Sequence, residues 1–241
     1  MLDPFRDLVL GGRCVGCDRA GRLLCEPCAA GLEVVPAPAW PTPVPAGLVE
    51  PWAATTYDGL VRALIVGHKE RRLLALAPAL GDLVALTTYA ALTDLVGGPA
   101  PVLLVPVPSR PGSARQRGYE PTTAITRAAA ARLADWGVEA GWARLLRTRR
   151  GVADQAGLDA ASRAANLAGA FRAHPPAVRR LAARTGRGRA RPAQVVVCDD
   201  VLTTGATAAE AQRALRAVGL PPLALAAVAA TRRRSPSRAA T

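Results

Sequence analysis

Val195-Val196-Val197-Cys198-Asp199-Asp200-Val201-Leu202-Thr203-Thr204-Gly205-Ala206-Thr207, the stretch VVVCDDVLTTGAT, changes character twice within a few residues. The apolar start predicts a buried strand over Gln194 to Cys198, and the end opens a helix predicted over Ala206 to Val218. Backbone N–H groups at a helix N-terminus, together with threonine hydroxyls, make an anion cradle, and Gly205 lets the backbone approach an anion closely. Asp199 and Asp200, one loop-width away, can accept hydrogen bonds from vicinal hydroxyls and help hold a hydrated Mg²⁺ near a pyrophosphate. An ordinary strand-to-helix turn with solvated acids and a threonine N-cap is the plainer alternative. Cys198 reads as a small buried residue.

Outward from this stretch, short apolar strands alternate with helical patterns. Helices are predicted over Tyr57 to His68, Leu73 to Leu95 and Tyr119 to Trp136, with a strand over Pro101 to Val107 and another near Trp142 to Leu146. A long polar loop and a short helix around Asp159 to Leu167 follow, and a strand over Leu223 to Ala230 ends the pattern. The expected fold is α/β, a mostly parallel sheet covered on both faces, which binds ligands beyond the carboxyl ends of its strands. A chain of 241 residues, half of them hydrophobic, can bury such a core and still carry a small second module. Pro78, Gly81 and Asp82 interrupt the longest apolar stretch, so no membrane span is expected. Asp3, Arg6 and Asp7 precede the cysteines without a continuous apolar run. No signal peptide is expected, and the cytoplasm is the default location.

Cys14-x-x-Cys17 and Cys25-x-x-Cys28 have zinc spacing: each turn points two thiolates at one metal, and two turns complete a tetrahedral structural site. Two disulfides or a redox-active pair are the alternatives. A helix over Glu26 to Leu32 fits after the second pair. The divisions expected are a zinc-ribbon module over residues 1–34, a Pro-rich connector over 35–51 serving as extended linker or packed arm, a main domain over 52–231 and a basic disordered tail over 232–241. The net charge of +13 suits a polyanionic partner. Much of it lies in Arg179 to Arg191 and Arg232 to Arg238, which read either as a solvated loop and tail or as a nucleic-acid contact.

The DDVLTTGAT loop resembles the ribose-5-phosphate-binding signature of type I phosphoribosyltransferases. With the two C-x-x-C pairs, Lys69 after an early helix, Val105-Pro-Val-Pro108, Arg117-Gly118-Tyr119 and a run of Arg149, Gln155, Arg163, Asn166 and Phe171, nearly the whole chain resembles the ComF family. The resemblance implies a zinc module joined to a type I phosphoribosyltransferase-like domain, a site for 5-phosphoribosyl-1-pyrophosphate with Mg²⁺, and an association with competence and DNA uptake. It places Asp199 and Asp200 on the ribose hydroxyls and Thr203, Thr204, Gly205, Ala206 and Thr207 on the 5-phosphate. Arg110, Arg115 and Arg117 are candidates for the pyrophosphate, and Gln155, Arg163 and Asn166 fit substrate contact, lid packing or helix capping. Where relatives carry R-G-F-N-Q, this chain has Glu120-Pro121 after Tyr119.

Lys69 fits either a phosphate contact or a solvated helix end. His68 and His174 lack metal-ligand partners in sequence and read as surface or hydrogen-bonded residues. Two functions are open: a phosphoribosyltransferase with an unknown acceptor, or a non-catalytic sensor or DNA-binding accessory of a DNA-uptake machine. Pocket chemistry, not fold, separates them.

Overall fold

Apolar strands without polar alternation must be covered on both faces, and one mostly parallel sheet meets that requirement here. The computed structural model describes residues 12–98, 100–109, 119–149, 169–185 and 192–231. Its strands are β1 (Ala37–Pro38), β2 (Glu50–Thr56), β3 (Val102–Pro106), β4 (Ala140–Trp142), β5 (Leu146–Thr148), β6 (Phe171–Ala173), β7 (Gln194–Leu202) and β8 (Ala224–Ala230). Its helices are α1 (Glu26–Ala30), α2 (Gly59–Lys69), α3 (Ala77–Val96), α4 (Pro121–Asp135), α5 (Pro175–Thr185) and α6 (Ala206–Arg216), with a 3-10 turn at Leu74–Leu76 before α3. Six strands form one sheet in the order β1-β2-β8-β7-β3-β4. Only β1 is antiparallel to its neighbour, while β5 and β6 pair antiparallel in a sheet of their own.

Side chains alternate along β7 and so feed two cores. Val196 and Cys198 join Leu64 and Ile65 of α2, Leu80 and Val84 of α3, and Ile125 and Leu133 of α4. Val195 and Val197 face the other way, onto Leu48, Phe171 and the Ala211 and Leu215 side of α6. Helices α3 and α4 approach closely because Gly81 has no side chain: a Cβ there would sit 2.4 Å from that of Ala128. Arg132 clamps the same crossing with hydrogen bonds to both oxygens of Asp82, at 2.7 and 3.2 Å. The segment Leu74–Val96 is long and apolar enough to cross a membrane. Its Leu80, Val84, Ala91 and Leu92 are fully buried, and the helix packs on β8, β2 and α4 as a core helix does.

Several expectations change. The strand expected near Trp142 to Leu146 is two strands in two sheets, because Ala143 to Leu145 carry the chain off the sheet edge into the β5–β6 hairpin. Strand β7 runs on to Leu202, still paired with β8 through Ala230, so both acids belong to the strand and not to the loop after it. The first part of the arginine-rich stretch, expected as loop, is helix α5, which ends at Thr185. The Pro-rich stretch is a packed arm. Ala37 and Pro38 pair with Ala53 and Trp52, Leu48 is buried, and the strand β2 over Glu50–Thr56, which the sequence reading did not expect, leads from the arm into the sheet. Gln212 of α6 holds the arm with both ends of its amide, donating to the Gly47 carbonyl at 2.6 Å and accepting from the Val49 N–H at 2.7 Å. The expected helix around Asp159 to Leu167 and the basic tail lie outside the described residues.

Candidate functional site

The chain turns outward from β3 to β4 in one direction and from β7 to β8 in the other, so the connections after β3 and β7 part company above adjacent strands. Such a divergence opens a crevice at the carboxyl ends of a parallel sheet. Strand β7 delivers Asp199 and Asp200 to that crevice, and the Val107 N–H donates to the Cys198 carbonyl at 2.9 Å, closing β3 onto β7 beside them.

The two acids are held differently. Asp200 is 4% exposed, and its Oδ1 accepts the Val201 N–H at 2.9 Å. Its Oδ2 is sealed from solvent without a hydrogen bond of ordinary geometry, and the Lys69 ammonium at the end of α2 answers it from 2.6 Å. Asp199 is half-buried, and its Oδ1 accepts the Asp200 N–H at 2.8 Å. Burial first, and the neighbouring Asp200 carboxyl second, push the Asp199 carboxyl up to about 8 against the pull of Lys69. Some of Asp199 still meets solvent, which tempers this upward push without reversing it.

Past Leu202 the chain turns through Thr203, Thr204 and Gly205, the last left-handed at φ 72°, into helix α6. The Ala206 N–H donates to Thr204 Oγ1 at 3.4 Å, and Gly205 itself supplies no side-chain cap. Thr203 is exposed, while Thr204, Ala206 and Thr207 are half-buried at the helix mouth. First-turn N–H groups and hydroxyls therefore converge where an anion is favoured. Gly205 has a packing role as well. The space a Cβ would occupy there is lined by Pro41 at 3.0 Å, Leu48 at 3.2 Å and Pro45 at 3.3 Å, so the missing side chain admits the Pro-rich arm.

Around this crevice other groups are structural. His68 is buried, with Nδ1 and Nε2 each 3.4 Å from a carbonyl, those of Leu73 and Pro121. Burial lowers its proton affinity below the ordinary value, despite those carbonyls and Asp200. Tyr119 donates its hydroxyl to the His68 carbonyl and stacks edge-on to the imidazole at 5.7 Å. Glu120 accepts from Thr123 at 2.9 Å and from Arg144 at 2.8 Å, and Pro121 starts α4, so the two positions that depart from the R-G-F-N-Q pattern serve the helix start. Glu210, 5% exposed on α6, accepts the Phe171 N–H at 2.9 Å and pairs with Arg213, which fixes β6 to the loop helix. Burial would raise its proton affinity, but Arg213 and the N–H groups of Phe171 and Gly169 outweigh it and the net shift is downward. Arg110, Arg115, Arg117, Gln155, Arg163 and Asn166 lie outside the described residues. Burial pushes the Cys198 thiol up to about 12, as suits an inert core residue.

At the N-terminal side, Cys14, Cys17, Cys25 and Cys28 bring their sulfurs within 4.8 Å of one another, and none is bridged. Four thiolates on one zinc would stand about 3.8 Å apart, so the donor set fits. The Cys25 N–H donates to Cys14 Sγ at 3.4 Å. Burial alone would raise the Cys14 thiol, but the N–H groups of Cys25, Cys17 and Gly16 bring it down to about 6. The Cys25 and Cys17 side chains, then burial, push the Cys28 thiol up to about 12, a crowding that a bound cation would relieve. This cluster could hold a zinc ion. It docks on the main domain, where Val15, Leu23 and Leu24 pack on the core and a Cβ at Gly16 would meet Leu60 of α2 at 2.7 Å.

Motif reading missed Gln212 and left Lys69 open between a phosphate contact and a solvated helix end. Gln212 and its arm contact carry no periodic signal. The role of Lys69 had one: it is the single lysine in a chain whose thirty other Lys or Arg positions are all arginine. Compared with known sequences, the chain matches no family model and no curated protein.

Proposed function

We propose that this chain is a phosphoribosyltransferase-like protein of the ComF type that binds 5-phosphoribosyl-1-pyrophosphate. The observation that carries the reading is the acidic pair at the carboxyl end of β7, at a sheet switch point, followed by Thr203-Thr204-Gly205-Ala206-Thr207 opening α6. The helix mouth takes the 5-phosphate through N–H groups and threonine hydroxyls, and the acidic pair stands on the ribose side, with Asp199 the member that keeps solvent contact. Mg²⁺, bound with the donor, would neutralise pyrophosphate charge. The protein's own part in transfer is electrostatic: carboxyl groups steady a ribose that becomes cationic as pyrophosphate leaves, and the crevice limits water.

Calorimetric titration with phosphoribosyl pyrophosphate and Mg²⁺ tests the reading against the Thr204→Ala, Thr207→Ala double variant. Saturable binding by the parent and at least about tenfold weaker binding by the variant is expected, since lost hydrogen bonds to a charged group cost about 1.5–3 kcal/mol each. Absence of binding by the parent overturns it.

A second reading, a DNA-binding accessory, draws on the exposed arginines of the hairpin, where Arg147 stands directly across from Arg172 and Arg144, Arg179 and Arg180 lie nearby in sequence. Like charges paired across strands favour an anion between them. Its mark is DNA affinity that falls steeply with salt and falls further in an Arg147→Ala, Arg172→Ala variant.

A further inference from the structure

In a chain this rich in arginine, a cation kept as lysine points to a place where a guanidinium does not serve. Lys69 is that position, the last residue of α2, and its Nζ stands 2.6 Å from Asp200 Oδ2. Geometry supplies the reason. An arginine fork takes a carboxylate through two oxygens, whereas Oδ1 of Asp200 is already taken by the Val201 N–H. Only one oxygen is left, buried and otherwise without a hydrogen bond, and a compact ammonium meets it end-on. The carboxyl of Asp200 is consequently committed on both sides to the protein.

Asp199 is in the opposite situation. The hydrogen bond it makes among the described residues engages Oδ1 with the Asp200 N–H, and the residue keeps solvent contact. Two adjacent acids thus have unequal access to anything entering the crevice.

We propose that Lys69 is the positioning residue of the acidic pair: its ammonium locks Asp200 inward, so that Asp199 alone presents its carboxyl to the ligand, and arginine cannot replace it. The role rests on the phosphoribosyl reading only for the ligand's identity. Lys69 reaches the site through α2, whose start lies under the cysteine module at Leu60, so the lock also ties the module's seat to the crevice.

Two measurements test it. The first needs no ligand. With one lysine in the sequence, acetylation by acetic anhydride, read by mass on the peptide that contains it, reports Lys69 directly. An ammonium gripped by a buried carboxylate offers little free amine, so labelling is slow in the parent, at least about tenfold faster in Asp200→Asn, and little changed in Asp199→Asn. Equal rates in parent and Asp200→Asn overturn the lock. The second is a set of double-variant cycles on the affinity for phosphoribosyl pyrophosphate with Mg²⁺. Lys69→Met and Asp200→Asn each weaken binding and together weaken it no more than the worse of the two, while Lys69→Met and Asp199→Asn multiply. Lys69→Arg, which keeps the charge and serves any merely neutralising role, is expected to bind as poorly as Lys69→Met. Parent-like affinity in Lys69→Arg, or independent effects of Lys69 and Asp200, overturns the proposal. A parent protein that binds no phosphoribosyl pyrophosphate while Lys69 labelling still answers to Asp200 supports the lock and overturns the ligand reading instead.

Discussion

Among the described residues, Asp199 has a carboxyl pushed far from the ordinary range by burial and by Asp200. A carboxyl raised from 3.8 to about 8 keeps a proton in the folded chain that the unfolded chain has already released. The folded state then binds more protons than the unfolded state between about pH 4 and 8, so this group makes stability fall as pH rises through that window. Thermal unfolding of Asp199→Asn across the same range should show a flatter pH profile than the parent; an unchanged slope would mean the carboxyl is ionised throughout. Gly205 is constrained as well. Its φ of 72° and the prolines 3.0 and 3.3 Å from an added Cβ predict that Gly205→Ala loses about 1–3 kcal/mol, measurable by denaturant unfolding. Both features were half visible beforehand. The acid pair and the glycine stand plainly in VVVCDDVLTTGAT, but which acid is buried and what fills the glycine's empty side depend on Lys69, Pro41 and Pro45, which are distant in sequence.

Among the elements, helix α6 has three duties: it opens at the anion cradle, holds the Pro-rich arm through Gln212, and holds the hairpin strand β6 through Glu210. Glu210→Ala removes the buried acceptor of the Phe171 N–H, while Arg213 keeps its bond to the Phe171 carbonyl and its solvent contact, so a loss of about 1–3 kcal/mol is expected, and Glu210→Gln a smaller one. Calorimetric unfolding checks the order. At the other face, the α3–α4 crossing depends on Gly81. Gly81→Ala must push the Ala128 backbone aside and should cost about 1–3 kcal/mol, whereas alanine would ordinarily favour a helix. A stabilising outcome would show that the crossing adjusts freely. Strand β2 was hidden behind the prolines of the connector, but most other helices and strands followed the apolar periods. The hairpin did not, because Trp142 to Leu146 is one continuous run in sequence and separates into two sheets only through the turn at Ala143.

For the whole molecule, the cysteine module and the main domain share a seat, with Val15, Leu23 and Leu24 on the core that also contains Leu64 of α2. Metal removal should therefore be felt beyond the module: chelation is expected to lower the unfolding midpoint and to reduce amide-hydrogen protection in α2, with an unchanged exchange pattern in α2 counting against the coupling. Sequence alone determined the α/β pattern, the four-cysteine spacing and the acid-threonine-glycine loop, because each is set by residue type at short range, through side-chain period, thiolate pairing and turn chemistry. Tertiary structure decided the rest: the strand order that opens the crevice between β3 and β7, the Pro-rich stretch as a packed arm, and the partner that turns Lys69 from a helix end into part of the site. Those outcomes rest on contacts between segments far apart in the chain, which the closing of a common core fixes and local preference does not.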